Sequence, residues 1–316
     1  MKISGFTIAK NADSLYYPVK ESIQSLLPLV DEFVIALGEG SEGDKTRELI
    51  ESIGDPKIKI IETVWDIERY PHGMEYAHQT DIAKSYCSGD WLFYIQADEV
   101  IHEKDLPLIR EACEKYLNDK EVEGFLFKYY HFWGDYDHHH RSHGWYPFEI
   151  RIIRNDPEIH SWRDAQSFRY IPDFDGFNYR REHNTRKLKV IELDAFVYHY
   201  GWVRPPQMMK KKTRVFETIQ QGEMKVKELE KQRYFEFDYG PLDLLNVFRG
   251  THPAVMNEWI SKFNWQDELQ YSGKPNRMRK PNKHEKLKNR VFSFIKYRIL
   301  NMSTIGEFNN FIRLKR

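Results

Sequence analysis

The first 120 residues alternate between two hydrophobic periods, and that alternation restricts the fold more than any other feature. Short apolar runs at 3–8, 32–37, 57–61 and 91–95 each read as a buried strand. Between and after them, 18–27, 46–53, 74–87 and 106–117 read as helices, the first with Val19, Ile23, Leu26 and Leu27 at helical spacing. Gly54-Asp55-Pro56 and Ser88-Gly89-Asp90 are stop signals. Strand and helix in strict alternation predict a mostly parallel sheet covered by helices, an α/β fold.

Beyond residue 120 the pattern changes. Residues 124–130, 149–154 and 188–200 read as strands, separated by aromatic, His-rich and Arg-rich loops. A long charged helix is predicted over 208–233, with shorter ones at 242–248 and 254–263. Residues 273–283, with two prolines, read as a linker. The chain of 316 residues divides on this reading at about 205 and 272, leaving a helical extension over 206–272 and a tail over 273–316.

Charge sharpens the last boundary. The chain holds 48 Lys or Arg and 48 Asp or Glu. From Lys274 onward there are 13 basic and 2 acidic residues, so a tail of +11 is joined to a body of −11. Residues 286–300 form a basic amphipathic helix on paper, with Val291, Phe292, Phe294, Ile295, Ile299 and Leu300 near one face. Such a helix suits an anionic membrane surface; it equally suits the acidic body of its own chain, or a second subunit in a homo-oligomer. No nucleic-acid-binding module accompanies it. Two cysteines, Cys87 and Cys113, exclude a disulfide framework, and no apolar run approaches about 18 residues. With no signal-peptide pattern at the start, a cytoplasmic protein, peripheral on the membrane at most, is expected.

The strongest local feature is the run from Asp90 to Glu99, a buried strand that ends in Gln96-Ala97-Asp98-Glu99. Ligands of open α/β sheets sit at the carboxyl ends of strands. A carboxylate there can hold Mg²⁺ or Mn²⁺ against a diphosphate, or it can simply cap the helix that follows. Gly38-Glu39-Gly40-Ser41-Glu42-Gly43 has the form of a dinucleotide-binding loop, with Glu62 further on. Its acids would repel a pyrophosphate, however, and it follows the second strand rather than the first. The histidines of 138–143 lack the spacing and the cysteines of a zinc site.

These pieces in this order resemble the family 2 glycosyltransferases of the GT-A fold. The resemblance is carried by Ser4-Gly5-Phe6-Thr7-Ile8-Ala9-Lys10-Asn11, by the acidic Gly-rich loop 38–46 after the second strand, and by Gln96-Ala97-Asp98 where the family has Asp-x-Asp. It implies a Rossmann-like sheet over 1–205, with a nucleotide-sugar half (1–120) and an acceptor half (121–205), and a helical, basic C-terminal extension. It implies a hexosyltransferase moving sugar from a UDP- or GDP-linked donor to a glycan or lipid-linked acceptor, as in polysaccharide or lipopolysaccharide synthesis. Thr7, Lys10, Asn11, Glu39, Gln96 and Ala97 would then bind the donor. Asp98 and His199 would hold a divalent metal, Mn or Mg, on the diphosphate. Gln96 departs from the pattern and adds no charge.

An inverting transferase needs a base for the acceptor hydroxyl. Asp164 is the candidate, with Glu149 second; pairing of Asp164 with Arg163 or Arg151 is the bland alternative. Arg151, Arg154, Arg204 and Lys211 are candidate diphosphate contacts. Trp133, His143, Trp145 and Trp162 are candidate acceptor contacts, since aromatic faces stack on sugar rings. A nucleotidyltransferase, an NAD-dependent dehydrogenase and a non-catalytic nucleotide-sugar-binding protein remain as other classes. The first lacks its Gly-rich loop after strand one.

Overall fold

The computed structural model describes residues 1–140, 145–230, 237–295 and 309–316. The predicted alternation is present as β1 (Ile3–Ala9), α1 (Val19–Leu26), β2 (Glu32–Gly38), α2 (Thr46–Glu51), β3 (Ile58–Thr63), α3 (Met74–Ser85), β4 (Trp91–Tyr94), β5 (Glu99–Ile101) and α4 (Leu106–Lys115). β3, β2, β1 and β4 lie side by side and parallel. Alternate side chains go to opposite faces: Phe33, Ile35, Trp91 and Phe93 join the core beneath α1 and α4, while Val34, Ala36, Leu92 and Tyr94 join a second core that includes Ala83 of α3.

The sheet then becomes mixed. β6 (Gly124–Trp133), β7 (His138–His140), β8 (Phe148–Arg154), β9 (Ile159–Trp162), β10 (Ser167–Tyr170) and β11 (Arg186–Trp202) follow in the chain. β8 lies antiparallel between β4 and β6, and β11 runs parallel to β6. The fold is therefore α/β, as expected, with a curled half after β4. At 17 residues β11 is longer than its sequence signal, because it is shared: β5, β6, β10 and a late strand all pair along it.

The remainder packs on that half. Over the described residues the expected helix at 208–233 is two helices, α5 (Pro206–Gln221) and α6 (Glu223–Glu230), divided at Gly222, whose positive φ of 84° ends the first, while 231–233 lie outside the described residues. Pro206 opens α5, where its missing N–H costs nothing. Residues 242–248 form a short 3-10 turn and β12 (Asn246–Val247), and α7 (Asn257–Ser261) follows. The segment read as a linker is pinned: Arg279 pairs with Asp238 and Glu285, and His284 is fully buried. α8 (Leu287–Phe294) leaves Leu287, Val291, Phe292 and Phe294 exposed. β13 (Phe311–Arg313) adds to β11, and Arg316 pairs with Asp119 and Glu121. Much of the described tail thus docks on its own body; 296–308 lie outside the described residues. Among the described residues no helix is long and apolar enough to cross a membrane.

Candidate active site

The loops at the carboxyl ends of β1 and β4 open onto a cleft of about 1020 Å³, closed on the far side by β11, α5 and the pinned segment. Its lining includes Lys10, Asn11, Gln96, Ala97, Asp98, Trp133, Trp145, Asp164 and His199 from the sequence expectations. Tyr17, Trp65, Tyr76, Trp202, Lys212, Arg214, Lys280 and Lys283 also line it. Four non-glycine residues near the lining have positive φ, namely Asn11, Tyr16, Arg163 and Ala165, the last two flanking Asp164. Such conformations are costly and cluster at functional sites.

Asp98 is the centre of the site. The chain turns sharply after β4, with the Glu99 N–H donating to the Gln96 carbonyl at 2.9 Å. β5 then pairs with β11, placing Glu99 opposite His199, and the Tyr200 N–H donates to the Asp98 carbonyl at 2.8 Å. The Asp98 carboxylate, 6% exposed, receives a hydrogen bond from Lys212 Nζ at 3.2 Å and lies 3.7 Å from His199 Nε2. Burial opposes its ionisation, but Lys212, His199 and Arg204 outweigh that and hold its carboxyl well below the usual carboxylate range. Lys212 also donates to the Gly201 carbonyl at 2.6 Å. Burial, then the Arg204 charge, pull the Lys212 amine down to about 7, with Asp98 opposing. The two shifts point opposite ways, and the short contact to an ionised Asp98 decides for the ammonium. Gly201 is needed here, because a methyl there would lie 2.5 Å from both Asp98 Oδ2 and His199 Nε2.

His199 is oriented from behind. His131 Nε2 sits 2.8 Å from the Tyr146 carbonyl, which only accepts, so this nitrogen carries the proton. Burial, with His199 next, lowers the His131 pKa far enough to keep it neutral. Its Nδ1 therefore accepts from His199 Nδ1 at 2.9 Å, and His199 turns Nε2 toward Asp98. These tautomers are assigned from partner chemistry.

The expected divalent metal fits poorly with this arrangement. Asp98 and His199 are brought together, but the third group at Asp98 is an ammonium. Gln96 adds no charge, and its amide nitrogen donates to the Ala165 carbonyl at 3.3 Å. Among the described residues, no group of three His, Cys, Asp or Glu is placed to hold a metal. A dication at Asp98 would have to displace Lys212 or stand against its charge.

Several expected contacts have other places. Arg151 is fully buried in β8, donating to both oxygens of Glu99 at 2.8 Å, with Tyr129 OH on the same carboxylate. Glu99 in turn accepts from the Gln96 N–H at 3.1 Å, so Arg151 braces the turn that carries Asp98 from outside the cleft. Arg154 donates to the carbonyls of Tyr116, Leu117, Asp119 and Val122, closing the end of α4. Arg204 is buried against Tyr17 and the Leu15 carbonyl. Lys211 donates to the Ser14 carbonyl, because one residue on a helix turns the side chain by about 100° and leaves the cleft to Lys212. Thr7 is buried within β1, and Glu39 is exposed beyond β2; neither lines the cleft. Trp162 is buried between the Arg163 and Arg169 guanidiniums. Glu149 is buried beside Gln166, and burial lifts its carboxyl to about 7 against the lowering effect of Arg151. His143 lies outside the described residues. Asp164 reaches the cleft and accepts from Gln220 Nε2 at 3.3 Å. Lys280 and Lys283 were hidden in a stretch whose prolines signalled only a loop.

No family model matches the chain. A protein described as an uncharacterized glycosyltransferase of Rickettsia bellii is 31% identical over 98 residues, 31% of this chain and 28% of that protein's length. Among solved structures, Staphylococcus aureus TarS 1-349 in complex with UDP is similar in fold over 69% of this chain and 65% of its own, with 14% identity and a TM-score of 0.40. Glucosyl-3-phosphoglycerate synthase of Mycobacterium tuberculosis, solved with Mn²⁺, UDP and phosphoglyceric acid, overlaps over 41% of this chain and 43% of its own, with 18% identity and a TM-score of 0.28. The chain spans well under half of two of these proteins. The sheet of this chain is mixed, curled and flanked by helices, an α/β arrangement.

Proposed function

We propose that the chain is a family 2 type glycosyltransferase that moves a sugar from a UDP- or GDP-linked donor to a glycan or lipid-linked acceptor, with inversion. The observation that carries this reading is Asp98 at the carboxyl end of β4, hydrogen-bonded by Lys212 Nζ at 3.2 Å and facing a cleft lined by Lys10, Lys212, Lys280 and Lys283. That place is where open α/β sheets hold nucleotides, and the cations suit a diphosphate. Lys10 and Asn11 flank the nucleoside side, with Trp65 offering a ring face and Lys10 5.5 Å above it. Trp145 and Trp202, both partly exposed on the cleft wall, are the rings nearest an acceptor there, with Trp133 buried and stacked on Trp202 at 4.9 Å.

Chemistry is a single displacement. Asp164 takes the proton from the acceptor hydroxyl as its oxygen bonds to the anomeric carbon. The bond from that carbon to the diphosphate oxygen breaks, and its electron pair leaves with the nucleoside diphosphate. The enzyme contributes position and charge. Thermal-shift titration with UDP, GDP and NAD tests the donor class: stabilisation by UDP or GDP is expected, and stabilisation by NAD alone refutes it.

The exposed apolar side chains of α8, beside Lys286, Lys288 and Arg290, would bring the enzyme to an anionic membrane carrying a lipid-linked acceptor. Flotation with phosphatidylglycerol vesicles checks this. Binding that is unchanged by Phe294→Glu would contradict it.

A further inference from the structure

We propose that the Lys212 ammonium, and not a divalent cation, carries the positive charge that holds the donor diphosphate at Asp98, so that donor binding does not require a metal. This rests on the glycosyltransferase reading of the cleft.

Charge bookkeeping at the site favours it. Two carboxylates would offset the double charge of a metal. Here Gln96 leaves one carboxylate, and Lys212 supplies one matching positive charge at 3.2 Å. Lys212 is also built in rather than draped across the surface. It stands on the second turn of α5, behind the Pro205-Pro206 entry and the buried Met209. The faces of Tyr17 and Trp202 lie 5.0 and 5.5 Å from its nitrogen, and both favour a cation. Asp98 and the Gly201 carbonyl take two of its three N–H groups. The third remains for a ligand in the cleft that Lys212 lines.

The rest of the lining agrees. Lys10, Lys212, Arg214, Lys280 and Lys283 are set against Asp98 and Asp164, so the cleft is positive before any metal enters. A dication at Asp98 would meet that field as well as the ammonium beside it, and like charges at short range are costly around a carboxylate this buried.

Isothermal titration of the full chain with UDP, and in parallel with GDP, tests the proposal, first in millimolar EDTA and then with Mn²⁺ in its place. The wild-type Kd for the better nucleotide is expected to differ by less than about threefold between the two conditions. Lys212→Met, checked for folding by circular dichroism, is expected to weaken binding about tenfold or more, since a charge-assisted hydrogen bond is lost, and Mn²⁺ is not expected to restore it. Wild-type binding that collapses in EDTA and returns with Mn²⁺ would overturn the proposal without any variant. So would Lys212→Met that regains wild-type affinity in Mn²⁺. Failure of both nucleotides to bind under both conditions would instead overturn the glycosyltransferase reading itself.

Discussion

Arg151→Met is expected to be among the most damaging single substitutions outside the cleft. Arg151 and Glu99 have no exposed side-chain surface, and the guanidinium gives the carboxylate two hydrogen bonds at 2.8 Å. It also donates to the carbonyls of Ile150 and Gln166 at 3.0 Å. Methionine nearly fills the volume but supplies no donor. Glu99 would keep only Tyr129 OH and the Gln96 N–H against the cost of a buried charge. Breaking a buried pair in this way costs about 3–5 kcal/mol, a large share of the roughly 5–15 kcal/mol of a typical fold. Urea unfolding at neutral pH measures it, provided the slope with denaturant is unchanged. Adding Glu99→Gln removes the stranded charge while keeping an acceptor for Tyr129, so the double variant should recover about 2 kcal/mol or more. A loss below about 1 kcal/mol in Arg151→Met, or a double variant weaker than the single, would refute the view that this pair braces the Asp98 turn.

Three further outcomes are expected. Glu149 has a folded pKa of about 7, above its unfolded value, so its neutral form stabilises the fold below the unfolded pKa and that contribution is lost as pH rises toward 7. Glu149→Gln should therefore gain on wild type by up to about 3 kcal/mol at pH 8 and match it near pH 4, which a pH series of denaturation midpoints would show. Asp164→Asn should lower kcat about a hundredfold or more while leaving the UDP Kd unchanged, as measured by transfer assay and calorimetry. Gly201→Ala should push Asp98 and His199 apart, costing about 1–3 kcal/mol in UDP binding with a smaller loss in thermal stability.

The strand–helix alternation through α4 was legible because each element's period and stop signals lie within its own residues. The later half was not, since β11 owes its length to four neighbouring strands that sequence does not reveal. Asp98 stood out as an acid at a strand end, Asp164 and His199 came from the resemblance, and Trp133 and Trp145 from an aromatic-rich loop; the structure lines one cleft with all five. Arg151 and Arg154 were not, because an arginine in a strand reads the same whether it meets solvent, a buried glutamate or a row of helix-end carbonyls. Choosing Lys212 over Lys211 needs the rotation of α5 about its axis, which only packing against β11 and the first loop supplies. The pinned segment from Arg279 to Glu285 looks like a linker locally, and its anchors at Asp238 lie some 40 residues away.

A nucleoside diphosphate is proposed to sit across this cleft with its phosphates at Asp98 and Lys212. A crystal structure of the chain soaked with UDP in EDTA would show it. The base is expected beside Lys10, Asn11 and Trp65, and a phosphate oxygen within hydrogen-bond distance of Lys212 Nζ. UDP bound elsewhere, or bound here only when a metal bridges it to Asp98 and His199, would contradict it.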